Sequence, residues 1–170
     1  MARAQSGLFQ IRKSITNLNS AGVTAEIDLG AYVDPADAQG VEIVSVDFIW
    51  TDDSTDLPID HSQAARAMAQ LKDNTGGTVV DPDNSHLIAS SGLVISANNT
   101  GVYQDTDIFP DMLNLSKEGG RIVVNDTLEL VAKAVPTLTD GRVTAVITLK
   151  VVKLTKKDYM SLALSTVSEN

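Results

Sequence analysis

The stretch Arg142-Val-Thr-Ala-Val-Ile-Thr-Leu-Lys-Val-Val-Lys-Leu154 decides the fold class. Val143, Ala145, Ile147, Leu149 and Val151 recur at every second position, which is the period of a strand with one face buried. At about 3.3 Å per residue it spans roughly 40 Å, long for a strand. The alternation changes phase at Val152-Lys153-Leu154, which predicts a β-bulge there. Beyond it, Thr155-Lys-Lys-Asp158 has the form of a helix N-cap, opening a short helix in which Tyr159/Ala163 and Met160/Leu164 pair at i,i+4.

The same period extends towards the N-terminus. Phe9, Ile11 and Ile15 alternate with polar residues, and after an Asn-Ser-Ala-Gly turn so do Val23, Ala25, Ile27 and Leu29. In Val41–Trp50, Val44, Val46, Phe48 and Trp50 fall on one side, predicting a core strand with its bulky face inward. Shorter strands are predicted at Thr78–Val80, His86–Ala89, Leu93–Ser96, Arg121–Val124 and Thr127–Val135, where Leu128, Leu130, Ala132 and Ala134 share a face. Asn98–Pro110 is irregular, and Ile108–Leu115 is expected to hold a helical turn. Ala64–Leu71 is rich in helix formers, follows a capping-box-like Asp60-His-Ser-Gln63 and stops at Asn74-Thr-Gly-Gly77, so a mid-chain helix is expected there. About eight short strands without βα alternation make the chain an all-β, antiparallel sandwich with one mid-chain helix and a short C-terminal helix. The 170 residues divide into an N-terminal arm (1–7, flexible), one sandwich domain (8–165) and a flexible tail (166–170).

Composition narrows the chemistry. There is no cysteine, hence no disulfide, thiolate nucleophile or cysteine-ligated metal. Aromatics are 4% of residues, with Trp50 the single tryptophan, a poor supply for stacking sugars or bases. No run approaches the roughly 20 apolar residues of a membrane span, and the opening residues do not form a signal peptide. Three N-x-S/T triplets, at Asn98, Asn114 and Asn125, therefore read as chance matches. The net charge of −9 is split: residues 1–25 carry +3, residues 26–111 carry −14 and residues 112–170 carry +2. Such a split predicts two chemically different faces.

No catalytic set emerges. The two histidines, His61 and His86, lie near no nucleophile motif, and Ser91-Gly92 is no G-x-S-x-G elbow. The clusters Asp52-Asp53…Asp56 and Asp105-x-Asp107…Asp111 are the best carboxylate candidates for glycoside chemistry, but they lack aromatic platforms. Asp81-Pro-Asp83-Asn84 offers the oxygen ligands of a structural Ca²⁺ site, and equally an ordinary turn. The glycine pairs Gly76-Gly77 and Gly119-Gly120 do not form a phosphate loop, so no other cofactor is expected. The basic residues Arg3, Arg12, Lys13, Lys150, Lys153, Lys156 and Lys157 are candidates for an inward-facing surface meeting something anionic, a genome or lipid headgroups. The bland alternative is a solvated strand end and helix start.

The layout of Val41–Trp50 as an early core strand, with Gly120–Val135 and Arg142–Lys157 as closing strands, resembles a single jelly-roll viral capsid protein. It is most similar in arrangement to the small major capsid proteins of membrane-containing icosahedral viruses of archaea and bacteria. The resemblance implies a non-enzymatic virion protein, made in the host cytoplasm, that self-assembles into an icosahedral shell. Its partners would be copies of itself and other capsid proteins, with non-specific contact to genome or internal membrane and no small-molecule substrate. Three basic residues in the arm are too few for strong genome packaging, a departure from that pattern. Two other readings compete: a capsid decoration or minor structural protein, and a non-viral β-sandwich binding or adhesion module. A cupin-type enzyme would need more metal-ligating histidines than two.

Overall fold

A computed structural model describes residues 3–59, 64–73, 76–96, 101–106 and 120–167. The described residues form ten strands, β1 (Arg3–Ala4), β2 (Phe9–Leu18), β3 (Val23–Asp28), β4 (Gln39–Asp52), β5 (Ala65–Lys72), β6 (Leu87–Ile95), β7 (Val102–Thr106), β8 (Arg121–Val123), β9 (Thr127–Val135) and β10 (Leu138–Lys153), and one helix, α1 (Lys156–Val167). None of the described residues forms a helix long and apolar enough to cross a membrane.

All pairing is antiparallel and follows one rule. β2 pairs with β10, β3 with β9, β4 with β8, and β5 with β6, so the first four main strands pair in reverse order with the last four. That is a long two-stranded ribbon folded across itself. The fold is closed by β4 joining β10 and β5 joining β9, which gives one sheet β2-β10-β4-β8 and a second β3-β9-β5-β6. This is the jelly-roll topology. β1 continues the β2 edge along the end of β10, with Arg3 opposite Lys153 and Ala4 opposite Val152, and β7 extends the second sheet beyond β6. The first residues, expected as a free arm, are thus partly docked: Gln5 N donates to Val151 O at 2.8 Å and Val151 N to Ser6 Oγ at 2.9 Å.

The expected mid-chain helix is instead β5. Ala65, Ala67, Ala69 and Leu71 face the core while Arg66, Met68, Gln70 and Lys72 face outward, and the strand is paired on both sides. Two ladders of hydrogen bonds and a buried inner face outweigh alanine's helix preference, which is worth only fractions of a kcal/mol per residue. His86–Ala89 and Leu93–Ser96 are not two strands either. β6 runs straight through Ser90-Ser91-Gly92, because Ser91 faces the core and accepts a hydrogen bond from Trp50 Nε1 at 3.0 Å. Thr78–Val80 is not a strand; the Gln70 amide holds Val80 in its place, accepting from Val80 N at 2.8 Å and donating to Val80 O at 2.9 Å. The expected helical turn at Ile108–Leu115 and the capping box at 60–63 lie outside the described residues.

The bulge also moves. β10 stays in register with β4 through Val152 and Lys153, and the extra residue is Val44 in β4, skipped between Ser45↔Thr148 and Ile43↔Leu149. Val44 is therefore exposed while Ile43 and Val41 point inward with Val46, Phe48 and Trp50. The phase change at Val152 and Leu154 has a different cause: α1 returns over the outside of the sheet, and Leu154 joins Tyr159, Val124 and Ala38 in a second small cluster. The cap of α1 is as expected, Asp158 N donating to Thr155 Oγ1 at 3.1 Å.

The Trp50–Ser91 bond crosses between the sheets with both partners buried. Trp50→Phe keeps most of the apolar contact and loses this bond. It is expected to cost about 1–2 kcal/mol, read as a lower urea midpoint at unchanged slope.

Candidate interaction surfaces

The buried polar groups come from strands and strand-flanking residues that the fold brings together. Lys72 closes β5 with no exposed surface; its ammonium lies 2.9 Å from Glu129 Oε1 and donates to Thr78 O at 2.8 Å. Glu129 in turn accepts from Gly77 N at 2.9 Å. Next in the chain, Asp73 accepts from Arg121 Nη2 at 2.8 Å and shares a 2.7 Å hydrogen bond with His86 Nδ1. Arg121 also donates to Leu87 O at 2.7 Å and to Ser85 O, and Asn125 Nδ2 donates to Asp73 O. This network ties β5 and β6 of one sheet to β8 of the other. It was not legible in the sequence, where His86 reads as a bland residue at a loop edge.

Asp73–His86 has the form of the orienting half of a hydrolytic triad. His86 is 2% exposed, however, and its Nε2 meets no hydrogen-bond partner. The pair is buried and, through Arg121, braces the ends of β5, β6 and β8. His61 lies outside the described residues. The carboxylates Asp52, Asp53 and Asp56 sit in the β4–β5 loop. Asp52 Oδ1 accepts from the Ser54 hydroxyl at 2.6 Å, the Thr55 hydroxyl at 3.0 Å and both of their backbone amides at 2.9 Å. These bonds, that of the Ser54 side chain first, hold the Asp52 carboxyl below its ordinary range. A glycosidase acid needs the opposite shift. Arg142 spans Asp53, at 3.2 Å, and Asp56; the Asp56 bond leads in raising the guanidinium's already high pKa. Of the other cluster, only Asp105 falls within the described backbone, in β7.

Asp81, Asp83 and Asn84 form a turn, with Asn84 N donating to Asp81 O at 3.0 Å and Asn84 Oδ1 accepting from His86 N at 2.9 Å. Among the described residues no three His, Asp or Glu side chains converge on a common point.

The seven basic candidates divide into two groups. Arg3, Lys153, Lys156 and Lys157 gather where β10 meets α1, with Arg3 directly opposite Lys153 across the ladder. Lys150 is at that end too, its ammonium 3.4 Å from the buried Glu42, and Lys153 lies 3.7 Å from Asp37. Arg12 and Lys13 are in the middle of β2, opposite Val146 and Ala145 and on opposite faces of the sheet. The cluster is therefore interleaved with carboxylates. Lys156 and Lys157 occupy the first turn of α1, where the helix dipole is positive and repels them.

Apolar side chains lie on the outside of both sheets. On the first, Val44 and Ile49 are exposed; on the second, Val94, Val135 and Tyr103 are. Met160 and Leu164 form an exposed pair on α1, while Tyr159 of the same helix is buried.

No protein-family profile matches the chain, and no curated protein matches it. Solved structures do. One is VP1 of Trichodysplasia spinulosa-associated polyomavirus, solved in complex with sialylated precision glycooligomers; it is 12% identical, with a TM-score of 0.43, over 89% of this chain and 98% of that one. Another is that of Desmodium yellow mottle tymovirus, 10% identical with a TM-score of 0.37 over 86% and 87% of the two chains. The jelly roll stands on the strand pairing described above.

Two outcomes follow from the buried groups. Lys72→Met strands the Glu129 carboxylate and is expected to cost about 3–5 kcal/mol, part of it recovered in Lys72→Met/Glu129→Gln, measured by chemical denaturation. Burial, with Asp34 and Asp126 nearby, raises the Tyr159 hydroxyl above its ordinary value of 10.0. The stability this contributes is complete below that value and is lost as pH rises through the folded-state value. Alkaline titration of tyrosinate absorbance should show a late-ionising group that Tyr159→Phe removes, with helix signal falling in step in the wild type.

Proposed function

We propose that this chain is a structural virion protein whose copies assemble into an icosahedral capsid shell. The observation that carries the reading is the polarity of its outside. A solitary antiparallel sandwich turns polar residues to water on its outer faces. Here Val44 and Ile49 on one sheet, Val94 and Val135 on the other, and Met160 with Leu164 on α1 are left uncovered. Six such side chains on three faces suit a subunit surrounded by neighbours.

The layout resembles that of the small major capsid proteins of membrane-containing icosahedral viruses of archaea and bacteria. In that reading the chain resides in the virion, is made in the host cytoplasm and catalyses nothing. Its partners are its own copies and other capsid proteins. Lys156 and Lys157, placed against the helix dipole, favour turning the end with Arg3, Lys150 and Lys153 inward, to genome phosphates or lipid headgroups. Arg12, on the outer face of β2, would add to that contact, while Lys13 lies on the other face of the strand. A Ca²⁺ ion on Asp81, Asp83 and Asn84 would act as a staple for the loop entering β6.

Light scattering and negative-stain electron microscopy of the purified protein, across salt, Ca²⁺ and protein concentration, test the reading. Capsomers or closed particles are expected. A species that stays monomeric at about 18 kDa under every condition overturns it.

A further inference from the structure

The outer face of the second sheet carries a groove of 870 Å³. Register explains its shape, because directly opposed residues share a face. Val135, Arg66 and Val94 form one row across β9, β5 and β6, and Lys133, Met68 and Gly92 form the next. Gly92 has no side chain, so the surface sinks beside Met68, and Val79 of the segment clipped to Gln70 adds to the lining. The lining is mostly aliphatic, and Val94 and Val135 are 45% and 56% exposed.

Arg66 and Lys133 are diagonal neighbours on this face. Among the described residues neither side chain makes a hydrogen bond or ion pair. In a chain of net charge −9, two adjacent cations repel one another on a mostly aliphatic surface; the acidic residue in register with Lys133, Asp105, lies in β7, two strands from Arg66 and three from Lys133. The occupant that relieves this repulsion is apolar and anionic.

One exposed element of the same chain has that chemistry. The β4–β5 loop is closed on itself by Asp52 N to Leu57 O at 2.8 Å and Asp56 N to Asp52 O at 3.0 Å, in addition to the Asp52 side-chain bonds. It presents Leu57 at 63% exposure beside Asp53 and Asp56, which share the single cation Arg142. The loop cannot fill its own groove. Asp53 N donates to Asp140 O at 2.6 Å and Arg142 lies in β10, so both tethers hold the tip to the first sheet, while the groove opens on the second. A loop that is already ordered loses little freedom on docking.

We infer that the groove receives the Asp52–Pro58 loop of a second copy, Leu57 entering beside Gly92 and Met68 and the aspartates facing Arg66 and Lys133. The inference rests on the shell reading and names one of its subunit contacts. Loop and groove lie at the same end of the sandwich, where β4 ends and β5 begins, so two copies related by a two-fold axis can make the contact twice.

The test compares the full-length wild type with a loop variant, Leu57→Asp, and a groove variant, Arg66→Glu/Lys133→Glu, by sedimentation velocity over a concentration series. Circular dichroism and thermal melts confirm that each is folded; Leu57→Ser and Arg66→Ser/Lys133→Ser serve where a charged variant does not fold. Each variant is expected to weaken self-association by at least about tenfold. A mixture of the two should associate more strongly than either alone, because one retains an intact groove and the other an intact loop. If both variants associate like the wild type while the wild type still forms particles, this contact is wrong and the shell reading stands. A wild type that never associates removes both. Oleate is titrated as a probe: if it binds the wild type, fails to bind the groove variant, and association is the same in both, the groove is a site for a small amphipathic anion and the inference is overturned.

Discussion

The pairing of β10 with β4 is the constraint on which the other contacts depend. Without it the pairs β2–β10, β3–β9, β4–β8 and β5–β6 would make only a doubled ribbon, each pair satisfied along one edge. Joining the last main strand to the third folds the ribbon across itself and sets the first sheet facing the second. Val143, Ala145, Ile147 and Leu149 then lie with Trp50, Phe48, Val46 and Ile43 in one core. The bulge at Val44 makes that register workable. Without the extra residue, strict alternation from Trp50 would carry Glu42 into the core and Ile43 and Val41 out of it. With it, Glu42 turns outward to meet Lys150, and the two aliphatics stay inside.

Polar ties, Gln104 Nε2 of β7 to Phe48 O of β4 at 2.7 Å among them, then fix the sheets to each other. Trp50 to Ser91 joins β4 to β6, and Asp73, His86 and Arg121 join the ends of β5, β6 and β8. Apolar packing has no direction and tolerates sliding; a bond with a required distance does not. The cost is desolvation of charged groups, so each buried charge here has an opposite charge in reach, Lys72 with Glu129 and Asp73 with Arg121. Among the described residues two buried polar atoms are left over, His86 Nε2 and Ser90 Oγ.

Strands with a strict period of two were legible from the sequence to within a few residues. β9 was read at its observed limits, and β3 and the long last strand were read nearly so. Reading failed where side-chain identity and period disagreed. Ala65–Lys72 is composed like a helix, yet Ala, Ala, Ala and Leu alternate with Arg, Met, Gln and Lys, and the alternation was the better guide. The phase change near Leu154 was a real signal with a different cause, since nothing local announces that α1 will cover that face. Long-range pairs such as Asp73 with His86 and Arg121 leave no spacing pattern at all. They are created by topology, and topology was visible only as a layout.

The distribution of polarity is the last link between fold and function. This sandwich keeps ion pairs between and behind its sheets and leaves some aliphatic side chains on its outer faces. Its charges follow the same logic. Among the described residues Arg66 and Lys133 make no ion pair, while Asp53 and Asp56 share one arginine on a braced loop. Inside the core every such imbalance is closed by a neighbour from another strand. In the contact proposed above the complement comes from a second copy, whose acidic, leucine-tipped loop has the chemistry that the groove lacks. In that arrangement the groove is half of a contact, and the cations that repel one another in the single subunit become what holds two together.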